Sequence, residues 1–375
     1  MSATVEVENA TPNPTPDPTS NPTPGALGYR MPAEWEQHTA TWIAWPHNAS
    51  DWPGRFQPIP WVYAEIVRQL AAVEQVHTLV QNAEAEKRAR GVLKRAQVNT
   101  ANVHFHQWPT NRVWTRDSGP IFVKKQDSLA VTNWKFNAWA KYQDWEMDNA
   151  LPGRVAELLQ LPAFTPTVTV ADGTRHELVL EGGSIDTNGA GVLLTTEECL
   201  LSPVQQRNPG VSREQLEQAF HDYLGIDQVL WMNRGIAGDD THGHVDDITR
   251  FVDANTIVTV VEANRADENH EPLAENLDRL RAARNRDGQP FRIVELPLPS
   301  PVVFEGQRLP ASYANFYIAN GLVLVPTFND ANDRHALNTL AEVFPRHRIV
   351  GIHCVDFIWG LGALHCMTQQ QPAVE

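Results

Sequence analysis

From residue 29 onward, short apolar runs typical of strands alternate with segments that are typical of helices. The predicted strands cover residues 119–124, 129–134, 176–180, 191–196, 227–232, 248–252, 255–261, 291–296, 313–318, 321–326 and 347–352. Helices are predicted near 151–161, over 271–286 and 330–344, and from Ser212, where Gln215 is placed for a capping box. This alternation predicts an α/β protein.

The order strand, strand, helix, strand recurs, which indicates an internal structural repeat. Polar residues of chemical interest follow the closing strands of the units, namely Asp117, Glu181, His244 and Cys366. Successive members are about 60 residues apart, except that His244 and Cys366 are separated by about twice that interval. One further unit therefore lies between these two, and its equivalent residue would lie near Glu305. Units of this kind, closed into a ring, would bring these loops together around a central axis.

The first 28 residues have a different composition from the rest of the chain. The stretch "TPNPTPDPTSNPTPG" is rich in Pro and Thr and offers no apolar side chain to bury, so we expect a disordered or polyproline-like tail. A dispensable extension is the favoured interpretation, and a partner-binding segment or linker is the alternative. Residues 29–375 are then predicted to form a single catalytic domain.

The composition excludes several classes of protein. With 45 acidic and 30 basic residues the formal net charge is −15, which disfavours a nucleic-acid binder and suits a cationic small substrate. The sequence predicts no membrane association, because no apolar run is long enough to span a bilayer and "MSATVEVENA" lacks the features of a signal peptide. Whether the chain forms a homo-oligomer is left open.

The three cysteines, Cys199, Cys354 and Cys366, do not resemble a disulfide framework and include no CxxC pair. A reducing cytoplasm is therefore the predicted location. Cys199 and Cys354 fit the buried apolar role that is common for a free cysteine. Cys366 stands among polar residues in "LHCMTQQQP" and is the better candidate for a reactive thiol.

Three polar motifs supply candidate partners for that thiol. "VWTRDSGP" places Trp114 and Asp117 beside a turn, and "LEGGSID" ends a strand with Glu181. An ordinary turn explains Asp117 well by itself, and it explains Glu181 about as well as a functional role does. "GDDTHGHVDD" is the densest polar stretch, where His244 and Asp246 would face one side of an extended chain.

Two kinds of chemistry fit these residues. His242, His244 and Asp246 would suit zinc or manganese, which would make a metal-dependent amidohydrolase. Alternatively, Cys366 attacks an electron-poor carbon. Carboxylates would raise the pKa of the thiol unless the substrate brings its own positive charge. A planar guanidinium fits, since two carboxylates can bind its N–H edges.

The chain resembles the agmatine deiminases and bacterial peptidyl-arginine deiminases of the pentein, or guanidino-group-modifying, superfamily. The motifs that carry the resemblance are "YRMPAEWEQHTATWIAWP", "WTRDSGP", "FNAW", "LEGGSID", "LLTTEECLL", "GHVDD", "SYANFYIANG" and "HCMTQQQP". The resemblance implies a five-bladed α/β propeller of repeated ββαβ units with pseudo-fivefold symmetry. That fold agrees with the repeat spacing noted above.

The resemblance also implies a mechanism without metal or other cofactor. Cys366 would attack the guanidinium carbon, and His244 would protonate the departing ammonia. A covalent thiouronium-type intermediate would remain. His244 would then activate water, whose attack yields a ureido product.

Substrate-binding roles follow from the same resemblance. Asp117 and Asp246 would hold the guanidinium nitrogens, Glu181 would position the substrate or the catalytic histidine, and Trp114 would pack on the alkyl chain of the substrate. His242 stands where the family commonly has an acid, and we expect this position to contact the substrate tail. The resemblance thus implies a catalytic set of Cys366, His244, Asp117, Asp246 and Glu181.

The expected substrate is agmatine, converted to N-carbamoylputrescine and ammonia. Peptidyl-arginine or free arginine is the alternative on the same scaffold. Two departures from the family pattern, His242 and Leu361 in "GLGAL", bear on the substrate tail, since a free amine would prefer an acid at position 242. A non-catalytic propeller that binds guanidino compounds is a third class.

Overall fold

The structure, a computed structural model, describes residues 22–374. Within that range the strands are β1 (His38–Ala44), β2 (Gln75–Leu79), β3 (Val103–His106), β4 (Ile121–Lys125), β5 (Ser128–Thr132), β6 (Ala163–Phe164), β7 (Thr167–Thr169), β8 (Arg175–Glu177), β9 (Asp186–Thr187), β10 (Val192–Thr196), β11 (Gln228–Met232), β12 (Thr249–Asp253), β13 (Thr256–Val261), β14 (Arg292–Pro297), β15 (Val303–Phe304), β16 (Gln307–Arg308), β17 (Tyr317–Ala319), β18 (Leu322–Thr327), β19 (Arg348–His353) and β20 (Gln369–Pro372).

The helices of the same residues differ widely in length. They are α1 (Ile59–Leu70), α2 (Ala83–Arg95), α3 (Thr115–Ser118), α4 (Glu146–Asn149), α5 (Leu151–Leu159), α6 (Glu197–Leu201), α7 (Arg213–Leu224), α8 (His270–Ala282) and α9 (Asn332–Val343). Together with the strands they give the mixed α/β fold that the alternating pattern predicts.

Five sheets share one plan. Their strand orders are β20-β1-β2-β3, β4-β5-β6, β9-β10-β11, β12-β13-β14 and β17-β18-β19. In each sheet one strand pairs antiparallel with one neighbour and parallel with the other. The parallel neighbour is reached through a helix, because parallel strands need a long crossover. The order strand, strand, helix, strand is thus present in five sheets, and β20 from the carboxyl end completes the first.

Most predicted elements agree with the structure, and the strand predicted over 176–180 is the main exception. Arg175–Glu177 pairs instead with Thr167–Thr169 in a two-stranded hairpin. The strand that completes the sheet of β4 and β5 is β6, which has only two residues and pairs with Val131 and Thr132. A strand of two residues has no measurable period, so the hydrophobic pattern could not reveal it.

The body of the protein begins before the predicted boundary at residue 29. Residues 1–21, which hold most of the predicted tail, lie outside the described part of the chain. Residues 24–28 form a turn, and the Gly25 amide donates a 2.7 Å hydrogen bond to the carbonyl of Asp222 in α7. A side chain on Gly25 would clash with the neighbouring His221 carbonyl. The end of the Pro/Thr-rich run is therefore packed against α7.

The helices cover the sheets with one apolar face, as α1 illustrates. Its buried residues Ile59, Tyr63, Ile66, Val67 and Leu70 recur at helical spacing and join the main hydrophobic core. Burial of each such side chain contributes about 1.5–3 kcal/mol. The helices thereby hold the sheets together and leave the loops at the strand starts free for chemistry.

Among residues 22–374, no helix is both long and apolar enough to cross a membrane. The longest, α2 and α8, have 13 residues each, whereas a spanning helix needs about 20.

The capping box predicted at the start of α7 is present. The Ser212 hydroxyl accepts a 3.3 Å hydrogen bond from the Gln215 amide, and the Gln215 side chain accepts one of 3.0 Å from the Ser212 amide. We predict that Ser212→Ala lowers the free energy of unfolding by about 1 kcal/mol, because the cap is lost. Urea denaturation measures this, with the exposed Ser128→Ala as control. Equal stabilities of the two variants would contradict the assignment.

Candidate active site

The candidate site residues occupy equivalent places in the five sheets. Asp117 comes shortly before β4, Glu181 before β9, Asp246 before β12, Asn315 before β17 and Cys366 before β20. Each therefore sits in the loop that leads into the antiparallel strand of its sheet. These segments converge, as the repeat spacing predicts, because His244 lies 3.7 Å from both Asp117 and Glu181.

The fifth member of this series is Asn315, and the expectation near Glu305 is wrong. Glu305 lies at the exposed tip of the β15–β16 hairpin, with a φ of 50°. Asn315 is fully buried, and its side-chain amide donates a 3.1 Å hydrogen bond to the Sγ of Cys366. The error arose because the hairpin inserts extra residues between β14 and β17, which shifts the spacing.

Cys366 lies at the end of a tightly folded loop. Its side chain is 6% exposed, and its Sγ donates to Oδ2 of Asp246 at 3.8 Å. Gly362 allows this loop to approach Trp114, since a Cβ at this position would lie 2.8 Å from the indole and 3.1 Å from the Cβ of Cys366. The loop thus presents the thiol beside an indole ring.

The surroundings of Cys366 keep its thiol protonated. Burial raises the pKa of the thiol well above its usual value, and the carboxylates of Asp246, Asp247 and Asp117 raise it further. A cation placed among these groups would reverse the effect of the carboxylates. The site is therefore arranged for a ligand that carries positive charge.

His244 is fully buried between two carboxylates. Its Nδ1 lies 3.7 Å from Oδ1 of Asp117, and its Nε2 lies 3.7 Å from Oε2 of Glu181. Burial opposes protonation of the imidazole, but Asp117, the Cys199 thiol and Glu181 outweigh it and raise the pKa of His244 well above its usual value. His244 can therefore donate a proton to a leaving group at neutral pH.

Glu181 is held ionised from the side opposite His244. The Nε of Arg207 donates a 3.0 Å hydrogen bond to Oε1 of Glu181, and both side chains are completely buried. Burial would raise the pKa of Glu181, but Arg207 and His244 outweigh it and lower the pKa to about 2. Glu181 can thus stabilise the charge of the imidazole without taking its proton.

Asp117 is fixed by two donors. Its Oδ2 accepts a 2.9 Å hydrogen bond from the Trp139 indole, and its Oδ1 accepts one of 3.0 Å from the Gly183 amide. Burial raises the pKa of Asp117 to about 6; His244 opposes this shift, and the Asp246 and Glu181 carboxylates add to it. A bound cation would favour the ionised form.

A pocket with a volume of about 250 Å³ opens onto these groups. Asp117 and Cys366 line it together with the aromatic side chains of Trp114, Trp139 and Tyr142. Trp114 is itself supported by Trp52, with ring centroids 5.8 Å apart. The pocket therefore combines apolar walls, which suit an alkyl chain, with an anionic end next to the thiol.

The predicted residues do not all meet at the pocket. Asp246 and Glu181 are fully buried and do not line it, although Oδ2 of Asp246 lies 3.8 Å from the Sγ of Cys366, which does. Leu361 lines the pocket in a left-handed conformation with a φ of 68°. His242 lies apart, because its Nε2 contacts the hydroxyl of Ser202 at 3.1 Å. The substrate contact expected from His242 has no support in this geometry, and we do not retain it.

The rival metal site made of His242, His244 and Asp246 does not form, because the first of these side chains points to Ser202. Within residues 22–374, two other groups each bring three potential ligand atoms within 4.8 Å, namely Glu181 with Cys199 and His244, and Asp246 with Asp247 and Cys366. One carboxylate of each group is already paired with another side chain, Glu181 with Arg207 and Asp246 with His365.

Several residues of the site escaped the sequence reasoning. The thiol accepts a hydrogen bond from Asn315, Glu181 accepts one from Arg207, and Asp117 accepts one from Trp139. Next to Asp246, the side chains of Glu34 and His365 form a buried network. His365 stands next to Cys366 in the sequence, which was an available signal. Glu34 has no such neighbour, and only the "MPAEWEQH" motif drew attention to its region.

A buried thiol, a charged imidazole and buried carboxylates around one pocket define a class of protein, an enzyme that acts on a cationic group. Over residues 30–372 the chain matches the model of the Porphyromonas-type peptidyl-arginine deiminases, and it belongs to that family. A Mycoplasma capricolum protein provisionally named agmatine deiminase is 34% identical over 94% of this chain and 98% of its own length. A Legionella pneumophila protein with the same name is 33% identical over 93% and 96%.

Solved structures give the same result. The agmatine deiminase of Enterococcus faecalis superimposes with a TM-score of 0.85 at 29% identity, covering 94% of this chain and 98% of that one. A cysteine-to-serine variant of the C. jejuni agmatine deiminase with substrate bound gives a TM-score of 0.80 at 29% identity, covering 92% and 97%.

Gly183 lies where catalytic groups crowd together. A Cβ at this position would lie 2.6 Å from Nδ1 of His244, 2.7 Å from Oδ1 of Asp117 and 3.1 Å from Oδ2 of Asp246. We predict that Gly183→Ala lowers kcat/KM by about 100-fold, because these groups must shift. Ammonia release from a guanidino substrate measures the effect. Gly91→Ala, where a Cβ meets nothing within 4 Å, should retain activity, and equal activities would refute the steric argument.

Proposed function

We propose that this chain is an agmatine deiminase, which hydrolyses the guanidinium group of agmatine to give N-carbamoylputrescine and ammonia. The names of the similar proteins support this substrate. One observation of the site carries the proposal, namely the Cys366 thiol buried among the carboxylates of Asp117, Asp246 and Asp247. A guanidinium supplies both the positive charge that such a site lacks and a carbon that a thiolate can attack.

Binding of the substrate prepares the nucleophile. Asp117 and Asp246 accept hydrogen bonds from the guanidinium nitrogens, while Trp114 packs against the alkyl chain. Oδ1 of Asp246 is buried and has no hydrogen-bond partner among residues 22–374, so it is available for this contact. The charge of the bound guanidinium lowers the pKa of Cys366, and the thiol releases its proton.

The first half of the reaction forms the covalent intermediate. The Cys366 thiolate adds to the guanidinium carbon and makes a tetrahedral adduct. The imidazolium of His244 gives its proton to one terminal nitrogen, whose bond to carbon breaks as ammonia leaves. A positively charged thiouronium remains on the sulfur, and its charge is balanced by Asp117 and Asp246.

The second half returns the enzyme to its starting state. The neutral His244 removes a proton from water, and the resulting hydroxide adds to the thiouronium carbon. The carbon–sulfur bond then breaks, which gives the Cys366 thiolate and a ureido product that has lost one proton to solvent. The thiolate takes up a proton again, so each cycle consumes one guanidinium and one water and releases ammonia, the ureido product and one proton.

The position of Asp51 favours agmatine as the substrate, because agmatine carries a terminal amine. Asp51 lines the pocket, and its Oδ2 is buried without a hydrogen-bond partner in the described part of the chain. Burial raises the pKa of Asp51 to about 6, so the side chain is largely ionised at neutral pH. The ammonium group of bound agmatine would contact this carboxylate. Asp51 thereby binds the substrate tail, which is the role expected for an acid at position 242.

Peptidyl-arginine or free arginine is the second candidate, supported by the family to which the chain belongs. The α-carboxylate of free arginine would need a cation in the pocket. Within the described chain the cationic side chain that lines the pocket is Arg112, and it already donates a 2.9 Å hydrogen bond to the Asp144 carboxylate. This pairing favours a substrate without a carboxylate.

We further propose that the five sheets close into a single catalytic domain, a five-bladed propeller of the pentein type with pseudo-fivefold symmetry. The equivalent placement of the five site loops supports this arrangement, as does the pairing of β20 with β1 near the two ends of the chain. All three cysteines are free, which fits the cytoplasm as the working location of a thiol enzyme.

We predict that Cys366→Ala abolishes turnover of agmatine while binding is retained, because the covalent step needs the sulfur. Ammonia release measures turnover, and calorimetry measures agmatine binding. Cys354→Ala, which removes a buried thiol outside the site, should keep normal turnover. Normal ureido-product formation by Cys366→Ala would show that the mechanism is wrong.

We predict that Asp51→Asn raises KM for agmatine by about ten- to fifty-fold and changes kcat less, because a charged contact to the tail is lost. The matched substrate N-butylguanidine has no terminal amine, and its KM should barely change. Equal increases in KM for both substrates would exclude the proposed contact.

A further inference from the structure

The ring of His365 lies between two buried carboxylates. Its Nδ1 is 2.7 Å from Oδ2 of Asp246, and its Nε2 is 2.7 Å from Oε2 of Glu34. The His365 side chain is only 2% exposed, so water does not compete for these contacts. The next residue is the nucleophile Cys366.

Both of these carboxylates face further donors or cations. Glu34 accepts from Arg250 at 2.9 Å, from Arg116 at 3.3 Å and from the Ile318 amide at 2.8 Å. Burial would raise the pKa of Glu34, but Arg250, His365 and Arg116 outweigh it and lower the pKa well below its usual value. Burial would also raise the pKa of Asp246, but the contacts of this carboxyl, mainly that with His365, outweigh burial and lower its pKa.

An ionised carboxylate can only accept hydrogen bonds. His365 contacts one carboxylate with each ring nitrogen, and both contacts are hydrogen bonds only when both nitrogens donate, that is, when the ring is an imidazolium. The hydrogen bond to Oδ2 of Asp246 fixes the plane of that carboxylate. Its Oδ1 is left without a hydrogen-bond partner among residues 22–374, while Oδ2 also accepts from the Cys366 thiol at 3.8 Å.

We propose that His365, held as an imidazolium by Glu34, is a positioning residue that orients Asp246 and keeps it ionised to receive the guanidinium. The inference rests on the proposed function for the identity of the cation. It assigns to His365 no contact with the substrate, because this side chain acts through Asp246.

The charges of the network support this assignment. Three acidic side chains, Glu34, Asp246 and Asp186, face three cations, Arg116, Arg250 and His365. A neutral His365 would leave the network with one unpaired buried negative charge, which is costly. The other titratable groups that face Asp246 are His244, Cys366, Asp247 and Asp117.

Nitrogen NMR of ¹⁵N-histidine-labelled protein tests the charge state directly. His365→Gln identifies the signals by their loss. We expect both ring nitrogens of His365 to show protonated shifts at pH 7 in the substrate-free protein. In Glu34→Gln one ring nitrogen should lose its proton at the same pH, because its acceptor is no longer charged. A ring that is already neutral at pH 7 in the unmodified protein would overturn the inference.

Kinetics of His365→Gln test the positioning role. Without the cation the pKa of Asp246 rises, so its ionised form is lost at a higher pH. The acid limb of kcat/KM for agmatine should move upward by about one pH unit or more, with a loss of about ten- to hundred-fold at pH 7 carried mainly by KM. The control variant His353→Gln changes an exposed residue of β19, and its kcat/KM should match that of the unmodified protein at every pH. A loss of equal size at every pH would overturn the positioning role.

The two measurements separate this inference from the proposed function. If the unmodified protein does not turn over agmatine but its His365 ring is charged, the proposed function fails and the network stands. If agmatine is turned over while the ring is neutral, the inference fails alone. The NMR measurement on the unmodified protein decides the matter even if His365→Gln does not fold.

Discussion

The site depends on the repulsion between a thiolate at Cys366 and the carboxylates around it. In the substrate-free protein this repulsion and burial keep the sulfur protonated, and a protonated thiol is a poor nucleophile and resists oxidation. Only a ligand that carries positive charge removes the repulsion. In the mechanism that we propose, the same charge makes the guanidinium carbon open to attack, so recognition of the substrate and activation of the nucleophile are one event.

Buried cations divide the carboxylates into two kinds. Glu181 is ionised by Arg207, and Glu34 by Arg250, Arg116 and His365, so these acids hold other groups in place. Asp117 relies on an indole, an amide and the nearby His244 imidazole, and its pKa is raised to about 6. The negative charge that remains uncompensated is therefore concentrated where a substrate would enter, next to the thiol.

Sequence periodicity predicted helices α5, α7, α8 and α9, most of the longer strands from β4 onward and the capping box at Ser212, because these features depend on local pattern. The spacing of Asp117, Glu181, His244 and Cys366 also predicted their convergence. The two-residue strand β6 was missed, since it is defined by pairing across the sheet. The role of Glu34 was missed because its partners, such as His365, are brought to it only by tertiary packing. The surroundings of His242 were not predicted, because they depend on a left-handed turn, with a φ of 65°, and on a contact with Ser202.

The pairing of β20 with β1 has a consequence for the order of folding. Thr41 is in register with Gln370, so the strand that follows Cys366 is anchored to a strand that lies far earlier in the sequence. Contacts between such distant segments form slowly compared with local contacts. We therefore expect Cys366 to join the carboxylates only late in folding, when the first sheet is completed.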